Sequence, residues 1–190
     1  MPLAILDSNT ALIVIDLQKG VVTGNLIHPI GEITDRMRVL MDVLRRNHSQ
    51  VVLMNVAGRA PGRTEQGPRS NLSFSEGWTD LLSQLDQQPS DIVATKRSQG
   101  AFATTDLEAH LKVRGVTQVV ASGVVTSGGV EASARQVYEQ GFNVTLAIDA
   151  MTDIREEAQD YSVRNVFSRL GETGSTKEII SLLERRSSTL

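Results

Sequence analysis

Four runs rich in Val and Ile shape what this chain can fold into: Ala11–Leu17, Val51–Val56, Gln118–Val125 and Asn143–Ala150. Their apolar character is continuous rather than alternating. Strands covered on both faces look like this, and such strands occur in parallel sheets. A weaker run at Asp91–Thr95 and a short stretch near Glu172 extend the series. Between the runs lie segments with helical spacing. Ile33, Met37, Leu40, Met41 and Leu44 precede Arg45 and Arg46, and Leu107, Leu111 and Val113 precede Gly115. Arg155–Leu170 reads as a further helix, after which Ser175 and Glu178 stand at capping-box spacing. Strand and helix in alternation predict an α/β fold, a three-layer α/β/α arrangement around a mainly parallel sheet of about six strands.

With 190 residues, 40% of them hydrophobic, the chain suits one domain spanning 1–190 around a sizeable core. A net charge of -3 offers no electrostatic footprint for nucleic acid or an anionic bilayer, so a small molecule is the expected partner. The first residues carry no basic, apolar and cleavage-site series, and no run of 18 apolar residues occurs, which predicts a soluble cytoplasmic protein. There is no cysteine, hence no disulfide, thiolate metal site or thiol nucleophile. His28, His48 and His110 are scattered, so neither a metal site nor a cofactor is expected.

Ligands of open parallel sheets sit beyond the carboxyl ends of the strands, which directs attention to the residues leaving those ends. Asp16 follows Ala-Leu-Ile-Val-Ile, where a carboxylate is costly unless paired or hydrogen-bonded. Capping the next turn and taking part in chemistry are both open to it. Lys96 ends the weak run, as a structural ion-pair partner or a catalytic one. The second run leads into Ala57–Ser75, a loop bearing Arg59, Arg63 and Arg69 that would suit a dianionic ligand or simply face solvent. Thr126-Ser127-Gly128-Gly129 joins the fourth strand-like run to a helix. Its glycines make either a tight turn or a backbone cradle for an anion. The last long run leads into Asp149.

In this order, ALIVIDLQKG, VATKRSQGAFATTDLEAHLKVRGV, VVASGVVTSGGVEASARQVYEQGFNVTLAIDAMTD and FSRLGE resemble the isochorismatase-like hydrolase superfamily over nearly the whole chain. The resemblance implies active-site roles for Asp16 and Lys96. Where its amidohydrolase members place a catalytic Cys, this chain has Gly129, as the isochorismatases have glycine at or next to that site. Glycine forms no acyl-enzyme, and Ser127 and Thr126 are displaced from the position with no histidine to accept their proton. The implied reaction is therefore hydrolysis of a small anionic vinyl ether of the isochorismate type. Asp16 would protonate the enolpyruvyl methylene, with Lys96 as electrostatic partner and the amides around Val125, Gly128 and Gly129 holding the anion.

Arg59, Arg63 and Phe102 are candidate substrate contacts, although Phe102, like Trp78, equally suits packing or a subunit contact. The resemblance also implies a cis peptide between Val124 and Val125 and assembly into a homo-oligomer. Asp149 and Asp153 are expected to brace the turn after the last long strand. Two alternatives stay open: hydrolysis of an amide or ester by water that an ionised Asp16 activates, and a binding or assembly protein without turnover.

Overall fold

The structure, a computed structural model, describes residues 3–65 and 74–187. Arg69 and the adjoining part of its loop lie outside the described residues. Within them, one six-stranded sheet runs in the order β3-β2-β1-β4-β5-β6, with every pair parallel. The strands are β1 Thr10–Ile15, β2 Gln50–Val56, β3 Ile92–Lys96, β4 Gln118–Val124, β5 Asn143–Thr152 and β6 Glu172–Gly174. The helices are α1 Ile30–Arg46, α2 Leu107–Val113, α3 Glu131–Glu139, α4 Glu156–Tyr161 and α5 Thr176–Ser187. The expected three-layer arrangement is thus present.

Strand geometry explains the layers. Successive side chains of β1 point to opposite faces, so Ala11, Ile13 and Ile15 enter one core with Leu107, Leu111, Val130, Ala134 and Val137. Leu12 and Val14 enter the other with Ile33, Met37, Leu40, Leu44, Ile179 and Leu183. All six residues of β1 are buried, as a central strand covered on both faces requires.

Two expectations on the helices are corrected. Val113, grouped with Leu107 and Leu111, is 86% exposed. Positions four apart share a helix face, whereas two residues on from Leu111 the side chain points to the other side. Arg155–Leu170 is not one α-helix. After α4 comes a π-helical turn at Ser162–Val166 and a 3₁₀ turn at Phe167–Arg169. α4 itself buries no residue, and Val166 and Phe167 make the core contact. The capping box forms as expected: the Ser175 amide and hydroxyl both donate to Glu178, whose amide donates back to Ser175 Oγ.

The strand order reverses between β1 and β4, the point in such a sheet where a crevice opens. β1 and β4 approach each other so closely that a Cβ built on Gly123 would lie 2.1 Å from the Ile15 carbonyl oxygen, and Gly123 has φ +131°. On its other side β4 pairs with β5 through a register shift between Ala121 and Gly123. There the buried Ser122 hydroxyl lies 2.9 Å from the Ala147 carbonyl and 2.7 Å from that of Ala150, satisfying groups that the shift removes from the ladder. Gly123→Ala should therefore lower stability by about 4 kcal/mol or more, or prevent folding. Gly141→Ala, also at positive φ but with nothing within 4 Å of the added Cβ, should cost about 1 kcal/mol. Thermal unfolding of the two variants measures the difference.

Candidate active site

Asp16 comes directly after β1 with φ +53°, a left-handed conformation uncommon for a residue with a side chain. The backbone is fixed there from two sides: its amide donates to Met54 of β2 at 3.0 Å, and its carbonyl accepts from Gln18 at 2.8 Å. Residues held in this way cluster at functional sites. The side chain is buried, at 5% exposure.

Lys96 ends β3, two strands from β1. Two inter-strand spacings of about 4.8 Å each separate the backbones, a span suited to a long lysine meeting a short aspartate. The Lys96 side chain is 1% exposed and its Nζ lies 2.7 Å from Asp16 Oδ2. The ammonium also donates to the carbonyls of Gln99 at 2.7 Å and Ser98 at 3.4 Å. Each ammonium proton thus has an acceptor, which a charge out of water requires.

Gly129 completes the cluster. A Cβ built there would lie 2.9 Å from Asp16 Oδ2, 3.2 Å from Ile15 Cγ2 and 3.5 Å from Lys96 Nζ. The three residues singled out from separate segments therefore meet at one place, with the carboxylate lying against the glycine where any side chain would have to stand.

The turn carrying Gly129 is one π-helical turn, Thr126–Val130, entered through a cis peptide between Val124 and Val125. Its hydrogen bonds differ from a freely presented anion cradle. The amides of Gly128 and Val130 donate to the Val125 carbonyl at 3.0 and 3.2 Å. The Ser127 amide donates to Asp153 Oδ2 at 2.6 Å. Gly128 and the Val125 carbonyl thus hold the turn together, and the amides of 127, 128 and 130 are already committed. Thr126, also buried, donates its hydroxyl to Gln159.

Among the remaining candidates, Phe102 lies in the core, its ring centroid 6.4 Å from that of Phe142. That is the packing role. Trp78 packs over Gly20 and against Phe74, at 4.2 Å between ring centroids. Arg59 and Arg63 are exposed beyond β2 and take no part in the Asp16–Lys96 ion pair. Asp153 braces the turn after β5, accepting also from Ile154 at 2.7 Å. Asp149 lies within β5 and binds the amide and hydroxyl of Thr176 at the start of α5. Among the described residues no group of three or more His, Cys, Asp or Glu could hold a metal ion, and no helix is long and apolar enough to cross a membrane. A cleft of about 460 Å³ opens at the opposite, amino-terminal ends of the strands, where Arg45 is engaged by Asp91 and Asp42.

Sequence reasoning missed Gln18. It is fully buried, its Nε2 donates to the carbonyls of Val56 and Trp78 at 3.1 Å each, and its Oε1 accepts from the Val56 amide at 2.6 Å. A glutamine two residues beyond Asp16 at the end of an apolar run was the available signal.

The electrostatics of Asp16 follow from this packing. Burial pushes its carboxyl up from 3.8 to about 6, against the attraction and hydrogen bond of Lys96, which pull it down. Oδ2 is held by Lys96, while Oδ1 is buried with no hydrogen-bond partner.

The sequence profile of the isochorismatase domain matches residues 10–178. The isochorismatase family protein YwoC of Bacillus subtilis is 30% identical over 177 residues, 90% of this chain and 92% of its own. Streptothricin hydrolase of Streptomyces noursei is 32% identical over 141 residues, 74% of this chain and 48% of its own. The structure of an isochorismatase family protein of Burkholderia thailandensis superposes with a TM-score of 0.86 at 29% identity, covering 95% of this chain and 98% of that one. The chain belongs to the isochorismatase family and is a hydrolase of that family.

Because the folded chain binds the Asp16 proton more tightly than the unfolded one, the stability this group contributes is complete below about pH 4 and is lost as pH rises through 6. A carboxyl ¹³C titration should place its midpoint near 6. In Lys96→Met the midpoint should rise further, since both lowering influences vanish while burial stays; a fall would contradict this account.

Proposed function

We propose that this isochorismatase-family hydrolase cleaves a small carboxylate-bearing vinyl ether of the isochorismate type by acid catalysis, with no covalent enzyme intermediate. The observation that carries the reading is the state of Asp16. One oxygen is held by Lys96 at 2.7 Å and the other is buried without a partner. A carboxyl poised near 6 keeps a useful fraction protonated close to neutrality, which general acid catalysis favours. With Oδ2 accepting from Lys96, the proton belongs on Oδ1, free to leave.

The step balances simply. Asp16 Oδ1 gives its proton to the methylene carbon of the enolpyruvyl group, and positive charge develops at the ether carbon. Water adds to that carbon and releases a proton, which returns to Asp16. The hemiketal then collapses: the bond between its carbon and the ring-borne oxygen breaks, the hydroxyl proton passes to that oxygen, and pyruvate and an alcohol leave. While Asp16 is protonated, Lys96 is a buried cation without its counter-charge, so a substrate carboxylate is the natural partner. Position 129 has no side chain to attack the substrate, which is why the reading has no acyl intermediate.

A second reading uses the same two oxygens in the opposite sense. If Asp16 is ionised, unpartnered Oδ1 is a hydrogen-bond acceptor that could take a proton from water attacking an amide or ester. Its support is that relatives such as maleamate amidohydrolase of Pseudomonas putida, 26% identical over 96 residues, are named for amides.

Pyruvate released from isochorismate, followed with a coupled NADH-dependent reductase, should be seen with the native chain. It should fall about 10²–10⁴-fold in Asp16→Asn, and the native rate should decline as pH rises above about 6. Absence of pyruvate from the native chain would remove the vinyl-ether reading. Ammonia released from small amides, with a rate that rises through the same pH range, would establish the second.

A further inference from the structure

Lys96 owes two of its three acceptors to the backbone of the segment that follows β3, at Ser98 and Gln99. Where that segment sits decides how the ammonium is presented to Asp16. The segment is knotted within itself: Ser98 Oγ donates to the Gly100 carbonyl at 3.0 Å, the Arg97 amide to Thr104 Oγ1 at 2.9 Å, and Thr105 Oγ1 to the Ala101 carbonyl at 2.6 Å. None of these bonds ties it to the helix on the far side of the site.

Gln136 supplies that tie. It lies on α3, the helix launched from the Gly129 turn, and its Oε1 accepts the Phe102 amide at 2.8 Å. The same carboxamide is packed on Gly100, where an added Cβ would lie 2.3 Å from Oε1, 2.5 Å from Cδ and 2.7 Å from Nε2. Gly100 is next in the chain to Gln99, the closer of the two carbonyls on Lys96. Gln99 itself reaches back to the turn, its Nε2 lying 3.4 Å from where a Cβ on Gly128 would be. The carbonyl frame around Lys96 and the turn bearing Gly129 are therefore built on one helix and joined through one carboxamide.

We propose that Gln136 is a positioning residue for the Asp16–Lys96 pair: by holding Gly100 and the Phe102 amide against α3, it fixes the Ser98 and Gln99 carbonyls that aim the Lys96 ammonium. It touches neither substrate nor Asp16 and acts through Lys96. The assignment rests on the reading of Asp16 and Lys96 as the reacting pair. Its test measures Asp16 directly and needs no substrate, so absence of pyruvate release and failure of this assignment are separate results.

The test is a ¹³C titration of the Asp16 carboxyl in the full chain. Lys96 is the charged group acting on Asp16. In Gln136→Ala the Ser98 and Gln99 carbonyls no longer aim the ammonium, so the Lys96 influences that lower the Asp16 carboxyl weaken while burial stays, and the midpoint should rise by about one unit. Gly100→Ala, whose methyl displaces the Gln136 carboxamide while leaving it in the chain, should move the midpoint the same way. Gln136→Met keeps the length of the side chain but not the acceptor for the Phe102 amide, and should move the midpoint as Gln136→Ala does.

An unchanged or lowered midpoint in folded Gln136→Ala overturns the assignment, as does a Gln136→Met midpoint left at the native value. Should Gln136→Ala not fold, Gly100→Ala decides by the same criterion. Should neither fold, amide exchange in the native chain decides: a protected Phe102 amide supports the tie, and exchange as fast as that of a free loop overturns it.

Discussion

The ion pair between Lys96 and Asp16 is the contact around which the rest of this site is arranged. Two opposite charges lie 2.7 Å apart with almost no access to water. Such a pair gains little net stability over apolar packing, because removing both ions from solvent offsets their attraction, yet losing one partner leaves an uncompensated charge inside the protein. The surroundings meet that demand. Backbone carbonyls after β3 complete the ammonium's hydrogen bonds, and Met54 and Gln18 fix the unusual backbone of Asp16. Satisfaction is complete around the cation and incomplete around the anion, where Oδ1 has no partner.

The sheet explains why these segments can meet. β1 and β4 are adjacent at the point where the strand order reverses, so the residues leaving their carboxyl ends share one crevice. The close approach at Gly123 brings the Gly129 turn over Asp16, and Asp153, just beyond β5, holds that turn by the Ser127 amide. Lys96 enters from β3 by virtue of its length. Three strand ends and one loop thus converge.

Glycine at position 129 leaves no side chain between its turn and Asp16. The Asp16 carboxyl lies beside the glycine, its Oδ2 2.9 Å from where a Cβ would stand. Burial and Lys96 act on it in opposite senses, and burial prevails, leaving it near 6. A carboxyl with its midpoint near 6 is partly protonated close to neutrality. The fold matches relatives across most of its length.

Local pattern alone determined the layer order, the strands and the residues leaving them. Continuous apolar runs mean strands buried on both faces, and this property is written in neighbouring residues, as Ala11–Leu17 and the following helical spacing of Ile33 to Leu44 illustrate. Asp16 and Lys96 could be picked out because a charge at the end of such a run conflicts with its surroundings, and Gly129 through the family resemblance. Tertiary structure decided the rest. That Oδ1 is orphaned, that the Gly128 amide is spent on Val125, that Phe102 packs in the core and that Gln18 and Gln136 brace the site all depend on segments tens of residues apart. Hydrogen-bond partnership and burial are properties of the assembled sheet, whose register and twist no local periodicity encodes.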